Sequence, residues 1–165
     1  MPDYVVEALS RIAISDAFPI MHLVMPKLDL QAWRRFARFT LQTSRDRPAG
    51  ILIVRRSTRH HICGLVCYRL EADLMHGRII QARSLIGIDI LDPRPIILLL
   101  IQHMGRLAQS NGCTAVHIRI PDGESAATLV PGFLDGDRLR GRVLGLLDVE
   151  LLLKDLLSGG EARVD

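Results

Sequence analysis

Two side chains that can accept a proton lie in neighbouring apolar segments of the sequence. Asp89 comes late in the alternating segment Arg78–Asp89, and His117 lies within the run Ala115–Ile120. A carboxylate or an imidazole at such a position can act as a general base. Both residues also have ordinary structural interpretations, Asp89 as a strand-end or capping residue and His117 as a partly exposed strand residue.

The other histidines and the cysteines do not form a metal-binding pattern. His60 and His61 are adjacent, so on an extended chain their side chains point in opposite directions. Cys63 and Cys67, four residues apart in one predicted strand, are too far apart for a disulfide, and Cys113 follows a predicted helix end. We therefore expect three reduced thiols and no zinc or other metal site.

Membrane and export signals do not stand out in the sequence. No apolar run approaches the ~20 residues that a membrane span needs, and the residues that follow Met1 lack the basic and apolar regions of a signal peptide. Together with the reduced cysteines, this predicts a cytoplasmic protein that does not enter a membrane.

Positive charge is concentrated between Gln31 and His60. This segment contains eight arginines and one acid, Asp46, which gives a net charge of +7. Such a segment can attract phosphate, nucleic acid or an acidic partner. Proteins that bind nucleic acid usually add a recognisable motif or stacking aromatic residues. We favour a solvated helix face and keep nucleic-acid binding as the weakest alternative.

The spacing of apolar residues predicts the elements that must position these groups. A strand at Tyr4–Leu9 and a helical segment at Asp16–Met25 precede an amphipathic helix at Asp29–Thr43, with Asp29 as its N-cap. Three strands joined by polar turns then predict an antiparallel meander. These strands are Ile51–Arg55, Ile62–Leu70 and Arg78–Asp89. In the third, Ile80, Ala82, Ser84, Ile86 and Ile88 are expected on one face, and Gln81, Arg83, Gly87 and Asp89 on the other.

A βαβ unit is predicted over residues 78–120. Its helix begins at the turn Asp92-Pro93-Arg94-Pro95, ends at Asn111-Gly112 and leads to the strand Ala115–Ile120, which must run parallel to the strand before the helix. The remaining sequence predicts three further elements. They are a short helix at Glu124–Val130, a strand at Arg138–Leu147 and a helix at Asp148–Leu157.

This order of elements resembles the GCN5-related N-acetyltransferases (GNAT) over Tyr4–Ile120, most strongly over Gly50–Pro121. There "GILIVRRS", "ICGLVCYRL", "RIIQARSLIGIDILDP" and "LAQSNGCTAVHIRIP" stand at the family's second to fifth strands and third helix. The resemblance implies an α/β (α+β) fold, a mixed, mainly antiparallel sheet flanked by helices. We expect one domain over residues 1–165, with its core at 50–121 and an additional C-terminal element at 138–158.

The resemblance also implies where acetyl-CoA would bind. Family members hold its pyrophosphate with backbone amides in a loop that reads Arg/Gln-x-x-Gly-x-Gly/Ala, at the start of the helix after the fourth strand. With Arg94 at the first position, Ile97 and Leu99 occupy the glycine positions, and Pro93 and Pro95 lack amide donors. The glycine-rich loop is therefore missing, which puts acetyl-CoA binding in doubt. The cofactor-binding candidates that remain are Ile90, Arg94, Ile96 and Ile97.

Three functions follow as expectations. The resemblance implies an acyl-CoA-dependent N-acetyltransferase of unknown acceptor, with Asp89 or His117 as the base. The tyrosine that often protonates the leaving thiolate is not matched, because the chain has only Tyr4 and Tyr68. The alternative is a non-catalytic GNAT-like module for homo-oligomerisation or partner binding, which the lost loop and the leucine-rich segment Val143–Leu157 favour. Nucleic-acid binding through arginines is the third.

Overall fold

A single seven-stranded sheet runs through the computed structural model, which describes residues 4–42, 48–58, 60–121, 139–143 and 146–152. The strands are β1 (Tyr4–Ala8), β2 (Ala49–Arg56), β3 (Ile62–Asp73), β4 (Gly77–Gly87), β5 (Ala115–Pro121), β6 (Leu139–Val143) and β7 (Leu146–Leu152). The helices are a 3-10 helix (Ile14–Ala17), α1 (Phe18–Val24), α2 (Leu30–Leu41) and α3 (Arg94–Ser110). The strand order is β1-β2-β3-β4-β5-β7-β6, and β4 and β5 form the parallel pair among antiparallel neighbours.

The predicted meander and βαβ unit are confirmed, and with them the mixed, mainly antiparallel sheet flanked by helices. The predicted helix at Asp148–Leu157 is wrong over its described part, because Leu146–Leu152 is strand β7. Its residues pair with β5 from Ala115 to Pro121, so the free edge of β5 decides the conformation over the local helical signal. The predicted strand at Arg138–Leu147 contains β6 and the start of β7, and Glu124–Val130 lies outside the described residues.

Helix α2 covers one face of the sheet and is positioned by side-chain hydrogen bonds. The Asp29 carboxylate accepts from the Ala32 amide at 2.7 Å, which confirms the predicted N-cap. The Trp33 side chain is fully buried, and its indole N–H donates to the Ile14 carbonyl at 2.6 Å. The apolar side of the helix therefore packs on the sheet and on the 3-10 helix. Phe36 and Phe39, in contrast, remain 47% and 77% exposed.

Helix α3 covers the opposite face and approaches the sheet very closely at its first turn. Gly64 of β3 and Gly87 of β4 lie opposite each other in register and form what we call the glycine floor. A Cβ atom on Gly64 would lie 2.4 Å from Ile96 Cγ2, and one on Gly87 would lie 2.9 Å from Ile97 Cδ1. Because neither glycine has a side chain, Ile96 and Ile97 are buried in the space above the floor.

A β-bulge in β4 changes which side chains share a face. Cys67 pairs with Arg83 and Leu65 pairs with Ile86, so two residues of β4, Ser84 and Leu85, stand against one residue of β3. Ser84 has a φ of +54°, which a non-glycine residue seldom adopts.

The bulge corrects the predicted alternation along this strand. Ile80, Ala82 and Leu85 pack in the core beneath α3, whereas Ile86 packs in the core beneath α1 and α2. The prediction that Ile80, Ala82, Ser84, Ile86 and Ile88 share one face was therefore wrong beyond Arg83.

Candidate functional site

The amide groups at the start of α3 are already used within the chain. The Ile96 and Ile97 amides both donate to the Pro93 carbonyl, at 3.1 and 3.2 Å, and the Arg94 amide donates to Asp92 Oδ1 at 3.0 Å. Pro95 has no amide hydrogen. The first turn of α3 therefore presents none of these donors to a bound phosphate.

The side chains at the same place do not replace those donors. Arg94 Nε lies 2.8 and 3.0 Å from the two carboxylate oxygens of Asp92. The hydrogen bond from the Arg94 side chain lowers the pKa of Asp92, and the same contact raises the pKa of Arg94, so the pair stays ionised. The Ile90 side chain is fully exposed. The residues at this end of α3 do not fit a pyrophosphate, because an anion would meet a carboxylate and occupied amides.

Asp89 belongs to a polar network on the α3 face. Its Oδ1 accepts from the Leu91 amide at 2.9 Å and the Asp92 amide at 3.4 Å, and its Oδ2 accepts from the Tyr4 hydroxyl at 3.0 Å and from Arg56. The Leu91 amide, followed by Tyr4, the Asp92 amide and Arg56, lowers the pKa of Asp89. A carboxylate with this many donors is a weak proton acceptor. Its predicted role as a base is not supported by these contacts and stays a prediction.

His117 lies at a different place from Asp89. It pairs in register with Gln81, well before the end of β4, whereas Asp89 lies beyond that end. Its neighbours Val116 and Ile118 pack beneath α3, so His117 belongs to the other face. The His117 ring contacts the His76 ring edge-on, with 5.8 Å between centroids. The structure therefore does not bring the two predicted bases together.

A pocket of about 330 Å³ opens on the α2 face of the sheet. We call it the α2 pocket. It is lined by Phe36 and Phe39 of α2, Cys67 and Arg69 of β3, and Gln81 and Arg83 of β4, among others. Within the described part of the chain, none of its lining residues is an aspartate, a glutamate or a histidine. A pocket that combines aromatic surface with a few polar groups has the composition of a small-molecule site.

The sheet opens beside this pocket. β4 and β5 pair from Ile79 and Ala115 as far as Arg83 and Arg119. Beyond that point β4 continues to Gly87 and β5 to Pro121, and these described segments make no further pairs with each other. The bulge at Ser84 begins at the same place, so it separates the two strands next to Arg83.

The thiol in the pocket wall is not a nucleophile. Burial raises the pKa of Cys67 to about 12. A thiol rather than a thiolate is present near neutral pH, and the thiolate is the reactive form. Cys67 therefore contributes an apolar surface to the α2 pocket.

Three arginines of the arginine-rich segment have partners within the chain, and two of these partners are carboxylates. Arg55 pairs with Glu7 at 2.7 Å, Arg56 pairs with Asp89, and Arg34 donates to the Ser15 hydroxyl at 3.1 Å. These arginines stabilise the packing of β1, β2 and the first helices. Nucleic-acid binding stays a prediction.

Several solved structures of similar architecture are acetyltransferases. A nucleotide-linked sugar GNAT superimposes with a TM-score of 0.71 at 9% identity, over 94% of this chain and 90% of that one. An N-acetyltransferase from Staphylococcus aureus gives 0.67 at 11% identity, over 92% and 99%. The spermidine N-acetyltransferase from Vibrio cholerae, solved with CoA and spermine, gives 0.62 at 13% identity, over 93% and 98%. The chain has the GNAT fold.

No protein-family model and no curated protein matches the chain. The expected GNAT fold is thus confirmed by architecture at low sequence identity. Among the described residues, no group of three or more histidine, cysteine or acidic side chains is arranged to hold a metal ion. The helices in the described part of the chain are too short or too polar to cross a membrane.

Sequence reasoning missed the α2 pocket of this GNAT fold. One signal was present: Gln81 and Arg83 are polar residues two apart in an otherwise buried strand, so they lie on one face of the sheet. In the sequence, Phe36 falls within the apolar spacing of the predicted helix Asp29–Thr43, and Phe39 lies nearby. The spacing of residues within one element does not predict which residues of two separate elements line the same pocket.

Proposed function

We propose that the chain is a small-molecule-binding protein of GNAT fold, with the α2 pocket as its binding site. The observation that carries the proposal is the contrast between an open pocket, in which Arg83 makes no hydrogen bond or ion pair with any described residue, and the closed first turn of α3. On this proposal the domain binds its ligand without acetyl-CoA. The proposal shares the lost loop with the non-catalytic module expected from the sequence, but that module was expected to mediate homo-oligomerisation or partner binding rather than to bind a small molecule.

N-acetyl transfer is the second candidate, and a specific observation favours it. Beyond Arg83, β4 and β5 no longer pair with each other in the described part of the chain, so backbone groups of the two strands face each other without the hydrogen bonds of a ladder. An extended molecule that carries amide groups can pair with such strand edges. An acceptor amine in the α2 pocket would lie beside that opening. Its proton would pass to His117, one strand away, or to water.

Calorimetric titration of the full chain with acetyl-CoA separates the two candidates. We expect no heat of binding and no thermal shift at acetyl-CoA concentrations of about 1 mM. A complex with a Kd above this concentration would add little to the stability of the folded protein. Micromolar binding, followed by transfer of the acetyl group to an amine, would overturn the proposal and establish the second candidate.

Two variants show whether any binding that is observed uses the opening. Ser84→Gly retains the positive φ of the bulge, whereas Ser84→Val opposes it, because a β-branched residue rarely adopts that conformation. Binding through the opening should survive in Ser84→Gly and be lost in Ser84→Val. Equal binding by both variants would place the ligand elsewhere.

Homo-oligomerisation stays a prediction. The leucine-rich segment that suggested it includes β7, which lies inside the sheet between β5 and β6. Part of that segment is therefore used in strand pairing within the chain.

A further inference from the structure

The charge of the α2 pocket favours an anion. Arg83 lies in its wall, exposed, with no hydrogen bond or ion pair to any described residue. Arg69, the second cation, pairs with Glu71 at 2.6 Å. No acidic residue is among the described lining residues, so none of them compensates the positive charge of Arg83 at the pocket. A guanidinium binds carboxylate or phosphate oxygens in a fixed, often bidentate geometry.

The rim of the pocket favours an apolar body on the same ligand. Phe36 and Phe39 project from α2 with 47% and 77% of their surface exposed. The buried Cys67 and the small Ala49 add apolar surface between them and the sheet. Covering these rings with an apolar group removes unfavourable hydration, roughly in proportion to the area covered. A volume of about 330 Å³ suits a small molecule.

A third group is available deeper in the pocket. Gln81 is the one polar residue among the buried described residues, with 7% of its surface exposed. Its side-chain amide lies 3.5 Å from the carbonyls of Ala82 and His117, at the outer limit of a hydrogen bond. A ligand acceptor that lies closer to this amide than the two carbonyls would form a better hydrogen bond with it.

We propose that the α2 pocket binds a small molecule in which one carboxylate or phosphate group is attached to an apolar, preferably aromatic, body. Arg83 binds the anionic group, Phe36 and Phe39 cover the body, and Gln81 provides a polar contact. This inference rests on the proposed function and names the class of ligand for the same pocket.

The buried Trp33 is a reporter for this pocket. It is the one tryptophan of the chain, and its ring lies 6.0 Å from the ring of Phe36, centroid to centroid. A ligand that covers Phe36 should change Trp33 fluorescence. The probes are 3-phenylpropionate, phenyl phosphate, the neutral 3-phenylpropanol and the cationic phenethylamine, each titrated up to about 10 mM, a range that covers weak binding of small ligands.

We expect a saturable fluorescence change with one or both anions, and at least tenfold weaker binding of 3-phenylpropanol. The two anionic probes distinguish a carboxylate ligand from a phosphate ligand. Arg83→Gln should weaken anion binding tenfold or more, because it removes a charge-assisted contact. The control Arg106→Gln, an exposed arginine of α3 on the opposite face, should bind as the wild type does.

Phe39→Ala provides a second variant that does not touch the charge. It should weaken the binding of both anionic probes several-fold, while the protein still binds them more tightly than 3-phenylpropanol. Thermal unfolding verifies that each variant is folded, which we expect because both side chains are exposed.

The outcomes separate this inference from the proposed function. Equal binding of neutral, cationic and anionic probes, or unchanged anion binding in Arg83→Gln, would overturn the ligand class and leave the pocket as a binding site. No binding of any probe, together with tight binding of acetyl-CoA, would overturn both.

Discussion

The two faces of the sheet differ in what fills the space next to β4. On the α3 face, Ile96 and Ile97 fill the space above the glycine floor, and the amides of the helix donate to groups of the same chain. On the α2 face, the strand turns Gln81 and Arg83 toward a pocket that the described side chains leave open. One face is thus stabilised by packing, whereas the other retains polar groups available for a ligand.

This difference shows how a fold can keep its architecture while its binding elements change. The glycines that permit close approach lie in the sheet, at Gly64 and Gly87, and the residues of the approaching helix are bulky. Close approach therefore serves helix packing rather than phosphate binding. The pocket beside the β4 bulge does not depend on that first turn.

The largest expected effect comes from adding a methyl group to the glycine floor. Gly64→Ala places a Cβ atom 2.4 Å from Ile96 Cγ2, so the helix or the sheet must move. We expect a loss of about 1–3 kcal/mol in the free energy of unfolding, measured by urea denaturation. Gly87→Ala should cost less, because its nearest neighbour is the flexible end of Ile97.

A double-mutant cycle tests the cause of that loss. Ile96→Ala removes the Cγ2 atom that Gly64→Ala would strike, so the two changes together should cost less than the sum of the single changes. Additive costs, or a Gly64→Ala variant as stable as the wild type, would contradict a tightly filled α3 face.

The next effect concerns the Asp89 network on the same face. Asp89→Asn should lower the melting temperature at pH 7, because it removes the ion pair with Arg56. The pKa of Asp89 is lowered in the folded state, so its stabilising contribution is present above the pKa of an unfolded aspartate, about 3.9. The difference between wild type and variant should therefore shrink as the pH falls below about 4.

The control for this effect is Asp16→Asn, which changes an exposed acid with only a long contact to Arg55. It should alter the melting temperature little at any pH. If Asp89→Asn proved as stable as the wild type at pH 7, the network would not contribute to stability. The prediction that Asp89 acts as a base would then be favoured again.

A smaller effect should follow from opening the first turn of α3. Asp92→Ala frees the amide and the guanidinium of Arg94, while the amides of Ile96 and Ile97 still donate to Pro93. We expect calorimetry to detect at most weak binding of orthophosphate and acetyl-CoA by this variant, with a Kd no tighter than about 1 mM, because only one of the needed amides becomes available.

The matched control is Asp73→Ala, which removes a carboxylate that accepts the Met75 and His76 amides in the hairpin after β3. It should leave anion affinity unchanged. Micromolar acetyl-CoA binding by Asp92→Ala would mean that one carboxylate alone closes the α3 face.

The smallest effect is expected from alkylation of the thiols. Cys63, Cys67 and Cys113 are all buried, and burial raises the pKa of each thiol. The pKa of Cys67 is raised to about 12. Iodoacetamide at pH 8 should label none of them in the native protein and all three in urea, as followed by mass spectrometry. Rapid labelling of Cys67 alone would contradict a protonated, inaccessible thiol in the wall of the α2 pocket.

Local sequence determined most of the framework. Asp29 and the apolar spacing after it predicted α2, and the alternating segments with polar turns predicted β2, β3 and β4. The Asp92-Pro93-Arg94-Pro95 turn predicted the start of α3 within the βαβ unit. These features depend on residues close in the chain, through capping, proline geometry and side-chain periodicity. The loss of the glycine-rich loop was also visible in the sequence.

Tertiary structure decided the rest. The helical signal at Asp148–Leu157 was overridden over β7, because the unpaired edge of β5 offers backbone hydrogen bonds to an extended segment. The bulge at Ser84 reversed the predicted faces beyond Arg83, because an extra residue in one strand is defined only against its partner. The α2 pocket arises where α2, β3 and β4 meet, and no single segment contains its geometry. Spacing along the chain sets which way a side chain turns, but only packing between elements distant in sequence decides whether it meets a neighbour or an open space.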